Sequence, residues 1–547
     1  MGSAIPPPVS RVRPLPLSGL LRLGRPSEIW FKPALSVVVA AAPPNLTLVA
    51  LGRLDLAAYA MAGSLCVLYA HNRPYAARAR TLVRVVLGML AGLTVALVAA
   101  SLTTDAVVLV TVGAVLAAFH KALCDATRIG PPGNVIFTFV SSGSLFAPQT
   151  LGQVPGHVAL AAAAGAWSWI VGMAPGLIRP HGPERRATAH ALRSAAAFAG
   201  TGQAAARAGA AAAVHTARKT LRSTGPRSEH RDALERLVIR AEAALAAPDG
   251  ADPARLRAWA GVLRGTGPVP RPGDLAGADG DLPGAATGCD GPPLPSLHHR
   301  LGPLAPLALR TALGCALAGY ASLALGVGRP YWALVTAACL HQANVTLTWS
   351  RGVQRVTGNL AGVLLFAAIT PLAHLGPLAL VLCGLALNFG AEALISRNYW
   401  LGSVLVTPMA LIITEFARYQ QAGGLMADRV LDTLIGAGAG LAAAVAVTNR
   451  RAGDRVEHAL TAVERAREHA AEVLTAEHRP AGAVVAARRH LVAAVVDLRA
   501  AADTAAGEWW QRALPAEGVL RAEEAGHRTL AATVRRQRPH MSEGTRV

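Results

Sequence analysis

Aromatic side chains make up only 5% of this 547-residue chain and charged ones only 15%. A soluble protein of that length carries more charge and fewer unbroken apolar runs, so a large water-soluble fold is excluded. The six cysteines (Cys66, Cys124, Cys289, Cys315, Cys339 and Cys383) show no CxxC or metal spacing, which excludes a disulfide scaffold and a zinc module. Packed, reduced thiols are expected instead. No GxxxxGK phosphate loop, no HExxH and no nucleophile–base arrangement occurs, so neither an ATP-driven pump nor any other enzyme is expected. No cofactor and no metal follow either, because His298-His299 lacks a third ligand nearby and reads as a solvated loop. Acidic residues are also scarce, 32 against 52 lysines and arginines, for a net charge of +20. The arginines lie mostly in tails and short loops beside apolar spans. Membrane topology and anionic lipid headgroups account for them, and no nucleic-acid partner is expected.

What the chain has in abundance is apolar runs, with 52% of its residues hydrophobic. The runs are each about 17–25 residues long, the length that crosses ~30 Å of hydrocarbon. An all-α integral membrane protein follows. A tail over 1–32, rich in Pro and Arg, leads into VVVAAAPP, read as a first span because Lys32 before it resembles Arg310 before a later one. Spans are expected at 33–52, 55–71, 82–101, 105–121, 133–149 and 157–178, together a first membrane unit over 33–178. Pro43-Pro44 breaks the first of them, leaving either a re-entrant segment or a discontinuous helix facing a cavity.

Residues 179–300 differ in composition. Ala, Arg and Glu dominate 183–247, with apolar spacing at Leu234, Leu237, Ile239 and Leu245, and a short helix fits 253–264. Gly265 to Pro295 has the composition of a flexible linker. A second unit over 301–449 repeats the first, with spans at 303–327, 330–349, 355–373, 376–395, 398–417 and 428–448. Gly88 and Gly92 fall at the offset of Gly358 and Gly362, and the same offset puts Phe119 on Phe389. The expected fold is therefore two parallel six-span repeats, about twelve transmembrane helices, related by an axis along the membrane normal.

The tail over 450–547 is Ala/Glu/Arg helix to about Val534, with apolar stripes at Leu460, Val463, Ala470, Val473 and Leu474 and at Leu491, Val495, Leu498 and Ala502. Such faces must pack on something, and the simplest partner is the 179–300 region. Trp509-Trp510 belongs to that module's core or anchors it at the membrane surface. Loop charge sets orientation. Arg73, Arg78, Arg80 and Arg84, then Lys121 and Arg128, then Arg351, Arg355 and Arg397 mark one side. Only Arg53, Arg329, Arg418 and Arg429 mark the other. Both termini and residues 179–300 are expected in the cytoplasm.

The hairpin PYWALVTAACL…WSRGVQRVTGNLAGV, with Tyr331, Trp332, Arg351, Arg355, Gly358 and Gly362, resembles the fusaric acid resistance (FUSC-like) family of bacterial inner-membrane proteins. The first half departs from that pattern: it lacks the Tyr-Trp pair, and Pro74 interrupts its arginine turn. The resemblance implies a plasma-membrane protein exporting small organic anions, aromatic carboxylic acids first among them. It also implies similarity to plant aluminium-activated malate channels. Members in two-membrane bacteria often work with a periplasmic adaptor protein, but no sizeable external loop is present here for one to grip.

The residues suggest the same pathway. At helical spacing His341, Asn344 and Thr348 share one face, and Ser350 can cap the next helix, whose start carries Arg351 and Arg355. Arginine binds a carboxylate through two parallel hydrogen bonds, so this turn is the expected anion port. Asn388 and Glu392 recur four residues apart in the fourth span, with Lys121 nearly opposite in the other unit. The plainer alternatives stay open. Arg351 and Arg355 can be anchors that snorkel to headgroups, Glu392 can neutralise one of them, and His341 can be a packing residue or a proton carrier. The pairs Gly88/Gly92, Gly358/Gly362 and Gly436/Gly440 read as close helix packing. Expected partners are a small organic anion and anionic lipids, with a homo-oligomer left open. The competing reading is a non-transporting membrane scaffold whose cytoplasmic helices bind a partner.

Overall fold

Each apolar run folds as a helix in the computed structural model, which describes residues 15, 17–24, 26–224, 228–246, 248–270, 301–416, 419–447, 451–476, 482–508 and 516–535. The stretch from 271 to 300, with Cys289 and His298-His299, and Trp509-Trp510 lie outside these residues. The first apolar region gives α1 (Phe31–Ala50), α2 (Ala57–Ser64, tightening into a 3-10 turn over Leu65–Leu68), α3 (Tyr75–Leu102), α4 (Ala106–Thr127), α5 (Val135–Leu145) and α6 (Val154–Met173), prolonged by α7 (Pro175–Ile178). Among the described residues four polar helices follow: α8 (Gly182–Thr201), α9 (Ala204–Arg222), α10 (Glu229–Ala246) and α11 (Pro253–Val262). The second apolar region gives α12 (Ala305–Ala324), α13 (Pro330–Leu340), α14 (Val345–Ala373), α15 (Pro377–Ile395), α16 (Tyr399–Glu415) and α17 (Ala422–Ala446). Among the described residues three polar helices come after it: α18 (Arg451–Thr475), α19 (Ala483–Ala506) and α20 (Ala516–Arg535).

Eight of the apolar helices are long enough to cross a bilayer: α1, α3, α4, α6 with α7, α12, α14, α15 and α17. The other four, α2 with its 3-10 turn, α5, α13 and α16, are 10–17 residues long. Eleven residues of helix reach about 16 Å, half a hydrocarbon core. Among the described residues, the twelve expected full spans therefore reduce to eight candidate spans and four short helices. The short ones are sheltered by protein: every residue of α13 except Tyr331 is buried, as is every residue of α2 except Ala58. Backbone that ends at membrane depth is tolerated only in such shelter.

The proline pair does not break α1, which runs unbroken from Phe31 to Ala50. Proline at 43 and 44 leaves the carbonyls of Val39 and Ala40 without their helical donors. Both are answered from neighbouring helices: Trp167 Nε1 donates to Val39 O at 3.1 Å and Ser64 Oγ to Ala40 O at 3.1 Å.

Helix packing follows one pattern twice. In the first region α2 packs on α6, α3 on α5 and α6, and α4 on α5. In the second α13 packs on α17, α14 on α16 and α17, and α15 on α16. Between the regions α12 lies on α4 and α1 on α15, while short α13 meets short α5 and α16 meets α2. Helices α3 and α14 begin at 75 and 345, so the spacing is 270 residues. The Gly pairs make close contacts as expected. A Cβ on Gly358 would sit 2.6 Å from Trp400 O, and one on Gly362 would sit 2.7 Å from Val404 O.

The polar helices form two small bundles. α8 to α11 bury Leu192, Leu234, Leu237 and Trp259, and α18 to α20 bury Val463, Ala470, Leu491, Val495 and Leu498. The bundles interlock where α9 meets α19 and α10 meets α20. At that junction Glu242 of α10 is fully enclosed, paired with Arg218 of α9 and, at 3.4 Å, with Arg488 of α19. Burial alone pushes the Glu242 carboxyl up, but Arg218 and Arg488 outweigh it and hold it below the usual carboxylate range. A depressed carboxyl stabilises the fold above its unfolded value of 4.5 and ceases to as pH falls through its folded value. Acidification below about pH 4.5 should therefore loosen the bundle junction. Limited proteolysis of the α10 and α19 ends should rise there in wild type, and already at neutral pH in Glu242→Gln.

A strap from 17 to 24 is pinned to the second region. Gln354 and Asn398 donate to Leu20 O, Trp400 Nε1 donates to Leu21 O, and Gly24 N donates to Arg397 O. Beyond it Glu28 pairs with Arg193 of α8 and, at 3.1 Å, with Arg264 after α11.

Candidate functional site

The chain breaks between α13 and α14, over His341 to Asn344, six residues before the Ser350 turn that the sequence suggested. Asn344 is the cap of α14: its Oδ1 accepts from Leu347 N at 2.9 Å. Thr348 Oγ1 donates to Asn344 O and accepts from Gln342 N, which fastens the break. Ser350 is inside α14 and donates to Thr346 O. His341 thus ends one helix while Asn344 and Thr348 start another, and the three do not share one helical face. They are nonetheless all interior. The His341 ring lies against Gly314 of α12, where a Cβ would come within 2.7 Å of Cε1. Neither ring nitrogen makes a well-formed hydrogen bond among the described residues, the carbonyls of Ala337 and Gly440 being the acceptors in reach.

The polar helices enter the membrane-spanning part at this break. Asn344 Nδ2 donates to Thr504 O at 3.2 Å, and both N and Oγ1 of Thr346 donate to Gly507 O at 3.0 Å. Arg310 of α12 pairs with Glu508 at 2.7 Å, with side-chain exposures of 2% and 0%.

A second polar group runs through the second region, between α13, α14, α16 and α17. At its centre Asn359 of α14, 1% exposed, donates through Nδ2 to Thr433 Oγ1 of α17 at 2.9 Å and accepts from Thr407 Oγ1 of α16 at 2.7 Å. One helical turn before Asn359 stands Arg355, and one turn before Thr433 stands Arg429. The two helices run in opposite directions, so the two guanidiniums flank the hydrogen-bonded belt from either side. Arg355 is 4% exposed and Arg429 is 1% exposed. Arg355 donates to Tyr399 Oη at 3.2 Å, and Arg429 stands 5.3 Å over the Trp332 ring. Neither makes an ion pair within 4 Å among the described residues, and Nε of both and Nη1 of Arg429 find no acceptor there. Asp432 of α17 is enclosed nearby, with one oxygen accepting from Ser322 Oγ at 2.6 Å. At the Trp332 end Arg329 pairs with Asp428 at 2.5 Å and also lies 5.3 Å from the Trp332 ring.

The other expected residues lie around this seam. Arg351 stacks on the Tyr399 ring at 3.7 Å, one turn from Arg355. Asn388 is buried on α15, with Nδ2 unpartnered among the described residues. Glu392 is half-buried on the same helix and forms no ion pair among the described residues, so it neutralises neither Arg351 nor Arg355 nor Arg397. Lys121 pairs with Asp125 at 3.1 Å within α4, and with Arg310 it is a positive charge acting on His341.

Arg429, Asp432, Asn359, Thr407, Thr433 and Trp332 were not foreseen as a site. The apolar run of the last span begins at 428 and makes Arg429 look like a loop charge, whereas α17 starts at Ala422 and carries Arg429 well inside. The signal was available: Arg355 and Asn359 are spaced i, i+4, as are Arg429 and Thr433. Comparison at the 270-residue spacing also marks them. Arg355, Asn359 and Thr407 correspond to Val85, Met89 and Phe137, all buried and apolar. The polar seam therefore belongs to the second region.

Comparison with known proteins places a family on that region. Residues 316–443 match the fusaric acid resistance protein-like family, which agrees with the resemblance carried by the hairpin. The match includes Arg355, Asn359, Thr407, Arg429 and Thr433. An uncharacterized membrane protein of Bacillus subtilis (strain 168), YvaC, is 32% identical over 190 residues. That stretch is 34% of this chain and 29% of that protein. No solved structure matches the chain. The chain is a multi-pass membrane protein with a fusaric acid resistance-like domain.

Proposed function

We propose, from a fusaric acid resistance-like domain set in a multi-pass membrane protein, that this chain is a secondary transporter exporting small organic anions. Aromatic carboxylic acids are the expected class. One observation carries the reading: Arg355 and Arg429 are enclosed in an apolar bundle with no carboxylate paired to either among the described residues. Burying an unpaired guanidinium costs several kcal/mol, and charged groups kept inside a membrane domain mark ion or substrate pathways. A carboxylate arriving at either arginine supplies the missing acceptors through two parallel hydrogen bonds. The Trp332 ring beside Arg429 offers an apolar face to an aromatic substrate. Asn359, Thr407 and Thr433 lie between the two arginines as the polar belt the anion crosses.

In this reading both termini and the polar helices face the cytoplasm, in a bacterial inner membrane. The two sets of six helices are parallel repeats, a reading supported by the recurring packing pairs and the 270-residue spacing. Arg351 and Arg355 receive the anion from the cytoplasmic side, and Arg429 passes it outward. His341, Glu392 or Asp432 carries protons if the export is proton-coupled. With the cytoplasm negative, moving one anion outward gains ~2.3 kcal/mol per 100 mV, so a channel would also export. The scaffold reading is weakened because the apolar faces of the polar helices cover one another.

The test is flux of a labelled aromatic carboxylate in proteoliposomes, with voltage and the proton gradient set independently. Saturable flux above that of empty vesicles is expected. Flux following voltage alone assigns a channel, and dependence on the proton gradient assigns coupled transport. No flux for any organic acid tried would leave the scaffold reading standing.

A further inference from the structure

The first region has a corner equivalent to the one where Arg310 meets Glu508. His71 and His341 each follow the short second helix of their region, 270 residues apart. Each is acted on by a cation from the first helix of its region, Lys32 of α1 and Arg310 of α12. In the second region that cation is neutralised by Glu508. In the first region the opposite occurs, and more positive charge gathers. Lys32 lies within electrostatic reach of Arg78, Arg179 and Arg186. Arg78 is 4% exposed, is held by Val67 O and His71, and keeps its Nε unpartnered among the described residues. None of the four cations makes an ion pair there. The nearby acids act on Arg186 alone of the four and make no ion pair with it: Glu28 pairs with Arg193 and Arg264, and Glu184 is enclosed in the α8 bundle with Thr224.

The surroundings say where a counter-anion comes from. Leu177 and Ile178, directly before Arg179, are 89% and 82% exposed. Trp30 and Phe31, directly before Lys32, are exposed too. Aromatic and aliphatic side chains beside basic residues at the end of apolar helices are the arrangement of a membrane–water interface. Acyl chains placed over Leu177 and Ile178 would bring a phosphate to the cations. We infer that this corner, formed by Lys32, Arg78, Arg179 and Arg186, binds the phosphate of an anionic phospholipid. The lipid supplies to the first region the negative charge that Glu508 supplies to the second. This does not depend on the transport reading.

The experiment uses the full-length protein purified in a neutral detergent. Its thermal unfolding is followed with added phosphatidylglycerol, phosphatidylcholine or inorganic phosphate. Phosphatidylglycerol is expected to raise the midpoint more than either of the others. Lys32→Ala/Arg186→Ala, which changes two partly exposed side chains, should weaken that lipid's apparent affinity at least about tenfold. Exposed Arg179→Ala should weaken it in part, and serves alone if the double variant does not fold. Equal stabilisation by phosphatidylcholine, or undiminished phosphatidylglycerol affinity in the variants, overturns the inference. Inorganic phosphate matching phosphatidylglycerol overturns it as well, because a soluble anion then fills the corner.

Discussion

Arg429→Ala should lower organic-anion flux by roughly ten- to a hundredfold, with the protein as stable as wild type or more so. Both halves of that expectation come from the same physics. A bidentate charge-assisted contact to a carboxylate contributes about 1.5–3 kcal/mol, which sets the loss of flux. A buried guanidinium without a carboxylate contributes nothing comparable to folding. Its removal relieves the desolvation of a charge, and substitution by an apolar group is often neutral or stabilising. Arg429 comes close to that condition: the Trp332 ring stands against it, two of its nitrogens find no acceptor among the described residues, and Asp432 acts on it only from beyond ion-pair distance. Arg355→Ala should behave similarly, with a small stability loss from the Tyr399 hydrogen bond. Arg351→Ala should be milder, because that side chain is only partly buried and stacks on the Tyr399 ring. Lysine at 429 keeps the charge but not the planar fork, so it should recover flux only in part. Flux in proteoliposomes at matched protein content checks the first half, and thermal unfolding checks the second. Unchanged flux in Arg429→Ala removes the seam from the pathway. A large stability loss with it would make Arg429 a structural residue.

Glu508→Ala should have the opposite signature, a stability loss of about 3 kcal/mol or more. Glu508 and Arg310 are both enclosed, and no solvent screens their 2.7 Å contact. Losing one partner leaves the other charge buried beside the chain break, where Lys121 and Arg310 already act on His341. The connection from α19 to the break should then loosen, because Asn344 and Thr346 hold the same stretch through Thr504 and Gly507. Earlier thermal unfolding and faster proteolysis near residue 508 are expected. Arg310→Met/Glu508→Leu, which removes both charges, should recover much of the loss. A single variant that unfolds like wild type would show that the pair contributes nothing to holding the polar helices in place.

Much of this architecture was legible in the chain. Apolar run length located every membrane-region helix, and glycine offsets disclosed the spacing that α3 and α14 share. The stripes at Leu460 and Leu491 called for burial, but they bury one another inside one bundle instead of packing on the 179–300 helices, which build a core of their own. Three features escaped for physical reasons. Pro43-Pro44 stops a helix locally, but Trp167 and Ser64 reach the freed carbonyls from more than 100 and about 20 residues away, and spacing along one helix carries no such information. The break at His341–Asn344 competed with a more conspicuous basic turn at Ser350-Arg351. Asn344 was the better cap, since asparagine accepts from the first free N–H groups as readily as serine does. Arg429 was lost because a charge near a span boundary looks like a loop residue until its partner is known, and Trp332 lies nearly a hundred residues earlier. Of the two arginines at that turn, Arg355 lies on the seam and Arg351 beside it on the Tyr399 ring, and the seam continues to Arg429 on α17.

Cys339 offers the most direct measurement of that seam. This native thiol is buried near the end of α13, and both Arg355 and Arg429 are within electrostatic reach of it. In protein whose other cysteines are replaced, a small anionic thiol reagent should label Cys339 under native conditions, and an aromatic carboxylate should slow the labelling in proportion to its occupancy. Labelling that appears only on unfolding, or that no organic anion slows, would contradict an anion route between the two arginines.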